Sequence, residues 1–396
     1  MDFSIPKDLL KKKETARKWV REELIPLEKE HYEGTDMSRA ELTHHRNRLK
    51  ELGLWSLGVP KELGGQEIGW LGMQLMHEEA GYSTMFNYWA FNSMAGNPPA
   101  NLYACLGNEY QMENYLYPVM SGEKQSCFGL TEAEAGSDPS QIRTTAVKDG
   151  DHWVINGSKK FISGAHQADF IMLYTKTSHA GGKQGFTGFL VDSDTPGYNI
   201  VKQTETLGQQ RPSEIIIENC RIPDKNVLGE VGHGFAASQD WLTGNRLATG
   251  GRCVGAAERC LQGSLEYAQT RSTFGAPIAT RQAIQWMLAD MAVEIECGRY
   301  LSLNGSWKMD QGMNARTEAH MVRLYTTEMA FRAADRALQI HGGIGVSLNE
   351  LPYERIFKDM RTFRITEGAS EIQRMAIARN LLRGFSRIGD LPPVSK

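Results

Sequence analysis

The hydrophobic period changes twice along this chain, and that constrains the fold more than any single motif does. From about residue 7 to 125, apolar residues such as Leu9, Leu10, Ala16, Trp19, Val20, Leu24 and Ile25 recur at steps of three and four. This is the spacing of helices with one buried face. From Cys127 to about Phe235 the helical step disappears. Short apolar, β-branched and aromatic runs replace it at 144–147, 152–155, 170–174, 186–191 and 214–217, with hairpin signals at Asp149-Gly150 and Asn156-Gly157. Pro223 to Gly234 is rich in glycine and aperiodic, so it reads as a linker. Beyond Phe235 the helical period returns over roughly 236–270, 281–309, 313–341 and 367–384. At 396 residues the chain is too long for one typical core. The expected architecture is α+β: an N-terminal helical domain (1–125), a small middle β-barrel or sandwich (126–235) and a C-terminal four-helix bundle (236–396).

Charge and cysteine usage remove several function classes. The net charge of −3 is spread along the chain, and no basic block suits a nucleic-acid or membrane surface. No window approaches eighteen consecutive apolar residues, and Met1 to Asp8 has neither a signal peptide's apolar run nor a transit peptide's arginines. A cytoplasmic protein is expected. Its six cysteines include no Cys-x-x-Cys pair, which argues against a zinc site or a disulfide framework, and no metal is expected. A Rossmann nicotinamide site is not expected either, because Gly342-Gly343-Ile344-Gly345 follows a helix and has the wrong spacing.

Three stretches remain that can carry chemistry. Thr366-Glu367-Gly368 sets a carboxylate beside a residue without a Cβ, where a planar ligand can approach the main chain. Read alone, it fits a helix N-terminus better, since acids and small caps are favoured there. Upstream stand Phe128-Gly129-Leu130-Thr131-Glu132-Ala133-Glu134-Ala135-Gly136-Ser137-Asp138 and Asn156-Gly157-Ser158-Lys159-Lys160-Phe161-Ile162-Ser163-Gly164. In this order and at these separations the three resemble the acyl-CoA dehydrogenase family of flavoproteins, over nearly the whole chain.

The resemblance implies FAD as cofactor and an acyl-CoA as substrate. Leu130 and Thr131 would meet the pyrimidine edge of the isoalloxazine, with Phe128 and Gly136 in the same motif. Phe161, Ile162 and Ser163 would pack along the ring, Ser163 near N5, and Ala369 and Glu371 would add backbone contacts. Arg271 and Phe274, in Arg271-Ser272-Thr273-Phe274-Gly275, match a segment that reaches the cofactor's pyrophosphate from a neighbouring subunit. Gln282, Gln339, Gly342 and Gly343 match positions at its adenosine and pyrophosphate end. Substrate contacts would fall to Ser137, Asn245, Arg246 and Gly368. Glu367 would be the catalytic base, taking the α-proton while N5 of FAD receives the β-hydride, and electrons would pass on to an electron-transferring flavoprotein. Some family members carry the base immediately before the residue matching Arg246; here that place is Asn245, which cannot serve. A site shared between chains implies an oligomer, a homotetramer built as a dimer of dimers.

Two departures bear on the cofactor: Phe161 stands where the family usually has tryptophan, and Ala369 where threonine is common. Other readings keep the fold and change the chemistry: an acyl-CoA oxidase, an enzyme of carrier-protein thioesters, a nitroalkane-oxidising relative, or a non-catalytic flavin-binding regulatory protein. The aromatic run Asn87 to Met94, with Tyr88, Trp89 and Phe91, is either core or a wall of the acyl pocket. It contains no charged residue, so it gives no sign of a dicarboxylyl substrate.

Overall fold

The computed structural model describes residues 4–31, 37–87, 107–177 and 185–383. Tyr88, Trp89 and Phe91, read above as possible pocket walls, lie outside the described residues. The amino-terminal part is helical. Helix α1 (Lys7–Trp19) buries Leu9, Ala16 and Trp19. Helix α2 (Arg39–Glu51) starts at a capping box in which Ser38 and Glu41 satisfy each other's backbone N–H. Helix α3 (Gly69–Gly81) is buried from Gly72 to its end.

Eight strands follow: β1 (Ser126–Gly129), β2 (Thr145–Asp149), β3 (His152–Ile162), β4 (Phe170–Lys176), β5 (Phe186–Asp192), β6 (Tyr198–Gln203), β7 (Ser213–Pro223) and β8 (Val227–Leu228). They form one sheet in the order β6-β7-β3-β2-β4-β5-β8, with β1 pairing β4 in parallel. Residues from both halves of the sheet share one core, including Trp153, Ile155, Ile171, Leu173, Phe189, Val191, Ile215 and Ile217. The middle region is therefore a small sandwich. The alternate residues of β4, Phe170, Met172 and Tyr174, pack instead against Tyr115, Leu116 and Val119 of the helical stretch 109–121. Being buried on both faces explains why β4 and β5 read as continuous apolar runs.

The hairpin signal at Asp149-Gly150 is a turn, with Gly150 at φ +62 between β2 and β3. The one at Asn156-Gly157 is not, because both residues lie inside β3 at a break in its register with β7. A Cβ on Gly157 would come within 2.5 Å of Thr144 Oγ1, so this glycine serves close strand packing rather than reversal.

Five helices complete the described chain: α4 (Gly234–Thr270), α5 (Gln282–Asp310), α6 (Arg316–His341), α7 (Tyr353–Phe363) and α8 (Ser370–Leu382). Their core is continuous with that of α1 to α3, joining Met76, Val254, Ala257, Met291, Ala330 and Ile356. A two-stranded ribbon, β9 (Ser272–Thr273) with β10 (Ala276–Pro277), separates α4 from α5. The loop after β6 clamps α7: Gln209 donates from its backbone N–H and its side-chain amide to Asp359, at 3.0 and 2.8 Å. Burial pushes the Asp359 carboxyl up to about 6 against the opposing pull of these hydrogen bonds and Arg355. Helix α7 runs directly into the turn that carries Glu367. Among the described residues, no helix is long and apolar enough to cross a membrane.

Candidate active site

Glu367 occupies a strained turn. Its φ is +56, left-handed for a residue with a side chain, and Gly368 follows at +98. The two positive angles delay the start of α8 to Ser370, past the 367 predicted from periodicity. A Cβ on Gly368 would sit 2.8 Å from Gln373 Nε2. That amide donates 2.7 Å to Gly368 O, so glycine is needed both for the angle and for the contact.

Three side chains hold the carboxylate. Asn245 Nδ2 donates to Oε1 at 2.5 Å. Thr249, one helical turn along α4, reaches Oε2 at 3.4 Å, and its hydroxyl lies closer, at 2.9 Å, to Asn245 O. From α6, Arg323 Nη1 approaches Oε2 at 3.4 Å. Arg323 is 2% exposed, and its Nη2 donates to Phe363 O (2.8 Å), Thr366 O (2.6 Å) and Thr366 Oγ1 (3.1 Å). One guanidinium thus both faces the carboxylate and satisfies carbonyls where α7 ends, a role that suits its forked donors. The Glu367 side chain nevertheless keeps 27% of its surface accessible. Beside it, Arg246 is 7% exposed, and its Nε has no hydrogen-bond partner among the described residues. Burial lowers the Arg246 guanidinium to about 10, with Glu367 opposing and Arg323 adding to the shift. A buried donor of this kind can be met by a bound ligand. Gln373 also accepts from His320 Nδ1 at 2.6 Å. Burial, then Arg246, lowers His320 to about 4, which leaves the ring neutral with its proton on Nδ1.

A second group forms at the edge of the sandwich. Lys160 N donates to Thr131 O (2.9 Å) and Lys159 Nζ to Leu130 O (3.2 Å), so Leu130 and Thr131 are tied to the end of β3. There a second break in register ejects Phe161, which adopts φ +58 and is 54% exposed, while Ile162 is buried. Phe161 is therefore a projecting aromatic face, with the Lys160 ammonium 5.6 Å from its ring centre, and not part of the sandwich core. Phe128 lies in β1 against Tyr174, and Ser163 follows half-buried. Gly136 and Ser137 are exposed just past a tight turn in which Glu132 and Ala135 bridge, and nothing lies within 4 Å of the place where Gly136 would carry a Cβ.

The remaining predicted residues gather elsewhere. Arg271, Phe274, Gln282, Gln339, Gly342 and Gly343 are all exposed where α4, α5 and α6 end or begin, around a small core of Ala268, Ile278 and Ile340. Phe274 is 98% exposed at φ +52. Ala369 caps α8, and Glu371 is exposed in its first turn. Within one chain, these residues form three groups and not one.

Sequence reasoning gave no role to Thr249, Arg323, Glu132 or Lys159. Thr249 follows Asn245 at i+4 on one helix face, a signal available in the sequence. Glu132 and Lys159 sit inside motifs quoted for their neighbours. They form a buried ion pair at 2.8 Å, and Glu132 also accepts from Arg143 N, Thr144 N and Thr144 Oγ1. Arg323 lies mid-helix and nothing local distinguishes it.

Family models for the acyl-CoA dehydrogenase N-terminal, middle and C-terminal domains match residues 7–123, 127–220 and 232–382. The chain is 37% identical over 397 residues to (R)-benzylsuccinyl-CoA dehydrogenase of Thauera aromatica, covering 96% of this chain and 97% of that one. It is 36% identical over 343 residues to the Caffeyl-CoA reductase-Etf complex subunit CarC of Acetobacterium woodii, covering 85% and 89%. The FAD complex of PigA superposes with a TM-score of 0.90 at 28% identity, over 97% of this chain and all of that one. A carboxylate held but accessible, an orphaned arginine and a projecting aromatic edge thus sit on a fold shared with FAD-binding oxidoreductases of CH–CH bonds: this chain belongs to the acyl-CoA dehydrogenase family.

Proposed function

We propose that the chain dehydrogenates an acyl-CoA thioester between Cα and Cβ, with Glu367 as the base that removes the α-proton. The observation that carries this reading is the turn itself. Glu367 is the acid at the strained position, oriented by Asn245 and Arg323 yet accessible, while Asn245 next to Arg246 supplies only a donor. Backbone strain of this kind persists where surrounding structure enforces it, here through Arg323 on Phe363 O and Thr366 O. Arg246, buried with a spare donor, supports a thioester bound beside Glu367.

FAD, when bound, supplies the acceptor for the hydride leaving Cβ. The residues present fit it: Phe161 offers an aromatic face, Leu130 and Thr131 a fixed main-chain edge, and Gly136, Gly342 and Gly343 backbone with open space beside it. Ile162, Ser163, Gly368, Ala369 and Glu371 are assigned to the same surroundings, and Ser137 to the substrate. The group at Arg271, Phe274, Gln282, Gln339, Gly342 and Gly343 then serves a partner subunit's cofactor. Support comes from apolar residues left bare: Phe274, and Trp286, Val293 and Tyr300 at seven-residue spacing along α5, which a homotetramer would cover. An electron-transferring flavoprotein as acceptor is supported by the Etf-associated relative. The unpaired thiols of Cys127, Cys220, Cys253 and Cys260 suit a reducing, cytoplasmic setting.

The test is Glu367→Gln. The variant retains FAD, and bleaching of the flavin by acyl-CoA slows by about 10²- to 10⁴-fold, the usual worth of a positioned base. Near-normal bleaching rejects the assignment.

A further inference from the structure

The turn that presents Glu367 is held from two sides, and both holds come from α6. His320 and Arg323 stand at i and i+3, so their side chains leave the helix as neighbours. Arg323 takes the near side. Its Nη2 donates to Phe363 O and to Thr366 O, the carbonyl of the peptide that enters Glu367. His320 takes the far side, through Gln373. The Gln373 amide donates at 2.7 Å to Gly368 O and at 3.4 Å to Glu367 O, the carbonyl of the peptide that leaves Glu367. An amide nitrogen has two hydrogens, so both contacts can be made at once. The φ and ψ of a residue are the rotations between its two flanking peptide planes. Pinning both planes fixes Glu367 at φ +56, an angle that a glutamate left to itself would abandon for a less strained one.

Gln373 can do this in one orientation only. A carbonyl oxygen accepts and never donates, so the amide nitrogen of Gln373 must face residues 367 and 368, and its oxygen must face His320. The group that meets this oxygen at 2.6 Å is then an N–H at Nδ1. With burial and Arg246 lowering His320 to about 4, the ring carries a single proton at neutral pH, and Gln373 Oε1 fixes it on Nδ1. Gln373 is 1% exposed, so a rotated amide would have no water to meet its oxygen, which would stand against two carbonyl oxygens. His320 therefore selects the orientation in which Gln373 holds the turn. The rest of the loop is tied at its base. Gln373 N donates to Ala369 O at 3.0 Å, and Ser370 N closes the turn onto Arg364 O at 3.0 Å.

We infer that His320 and Gln373 are positioning residues for proton removal: by holding the carbonyls of Glu367 and Gly368 they aim the Glu367 carboxylate at the α-carbon. This rests on the dehydrogenase reading above. The pair acts through the main chain, whereas Asn245, Thr249 and Arg323 reach the carboxylate itself. That difference sets the expected effect. Releasing the turn misplaces the base and slows proton removal, and a misplacement of about 1 Å is enough for about 10²-fold. Thioester binding stays in place, because the groups assigned to it, Ser137 and Arg246, keep their own positions.

Two histidine variants separate the donor from the ring: His320→Phe keeps a flat ring without the N–H, and His320→Asn places an amide N–H where Nδ1 stands. In FAD-loaded protein, proton removal is read as α-deuteration of 3-thiabutyryl-CoA and 3-thiaoctanoyl-CoA in D₂O, and binding of the same compounds by calorimetric titration. His320→Phe slows deuteration by about 10- to 100-fold and leaves Kd within about threefold of wild type. His320→Asn returns the rate to within about threefold. Gln373→Met, which removes both contacts to the turn, is at least as slow as His320→Phe. A second readout needs no activity. Amide exchange of the peptide 364–372, which contains the Ser370 N–H, is about five- to tenfold faster in His320→Phe and Gln373→Met and returns to the wild-type rate in His320→Asn. Wild-type deuteration in His320→Phe or Gln373→Met overturns the inference, as does a Kd that weakens as much as the rate. So does His320→Asn no faster than His320→Phe, or loss of FAD from all three variants, since the pair would then only hold the fold. If wild-type protein deuterates neither thioester, the dehydrogenase reading fails, while amide exchange still decides whether the pair holds the turn.

Discussion

Glu132 and Glu367 are two acids that each face a buried cation, and they are built to opposite ends. Glu132 is 7% exposed, 2.8 Å from the wholly buried Lys159, and accepts three further hydrogen bonds from Arg143 and Thr144. Glu367 is 27% exposed, 3.4 Å from Arg323, and has one short donor in Asn245. Four donors on one buried carboxylate fix its geometry, whereas a carboxylate held on one side and exposed on the other has room for a ligand. Glu132 thus sets the Leu130–Thr131 edge through Lys159, while Glu367 leaves part of its carboxylate open to a ligand. Their cations differ in the same sense. Lys159 serves the acid and Leu130 O, whereas Arg323 spends one nitrogen on backbone carbonyls and shows the other to the acid.

The comparison breaks most visibly at the saturated pair. Lys159→Met leaves Glu132 buried without its cation and is expected to cost about 3–5 kcal/mol in urea unfolding, whereas Lys159→Met with Glu132→Met recovers most of that loss. A loss under about 1 kcal/mol from the single change would make the pair incidental. Next in size, Arg323→Met removes donors from Phe363 O and Thr366 O and is expected to cost about 2–3 kcal/mol. Because the turn relaxes, flavin bleaching slows as well; unchanged bleaching would separate the turn from the chemistry.

Acid titration sharpens the contrast further. Burial pushes the Glu132 carboxyl up, but Lys159, Thr144 and Arg143 outweigh it and hold it below the ordinary 4.5. A depressed acid contributes stability that is present above its unfolded pKa and lost as pH falls through the folded one. Stability from this group therefore declines below about pH 4.5. Glu132→Gln flattens that part of the curve, and an unaltered acid slope counts against the pairing. Smallest is Phe161→Gly, which relieves the left-handed strain at φ +58. It is expected to raise the stability of the cofactor-free chain by up to about 1 kcal/mol while weakening FAD retention by roughly 2- to 10-fold. Tighter FAD binding would remove Phe161 from the cofactor edge.

The fold class was legible because the period changes are long and repeated. β4 and β5 announced themselves as apolar runs, whereas β6, with five of its six residues exposed, carries no alternation to read. Asn156-Gly157 misled because the same dipeptide that reverses a chain also permits the close approach of Thr144 to β3. At the site, Glu367 and Gly368 were readable from their order in the chain. Arg323 was not, since its contacts join helices separated by many residues. Only packing puts Arg323 against the carbonyls of 363 and 366.

The base itself is best measured apart from the flavin's reduction. A 3-thia-acyl-CoA has an acidic α-proton and no β-hydrogen to lose, so in D₂O its α-position reports proton removal alone. Followed by NMR, wild-type protein should exchange that proton for deuterium, and Glu367→Gln, with its FAD in place, should not. Exchange in the variant at the wild-type rate would contradict the account.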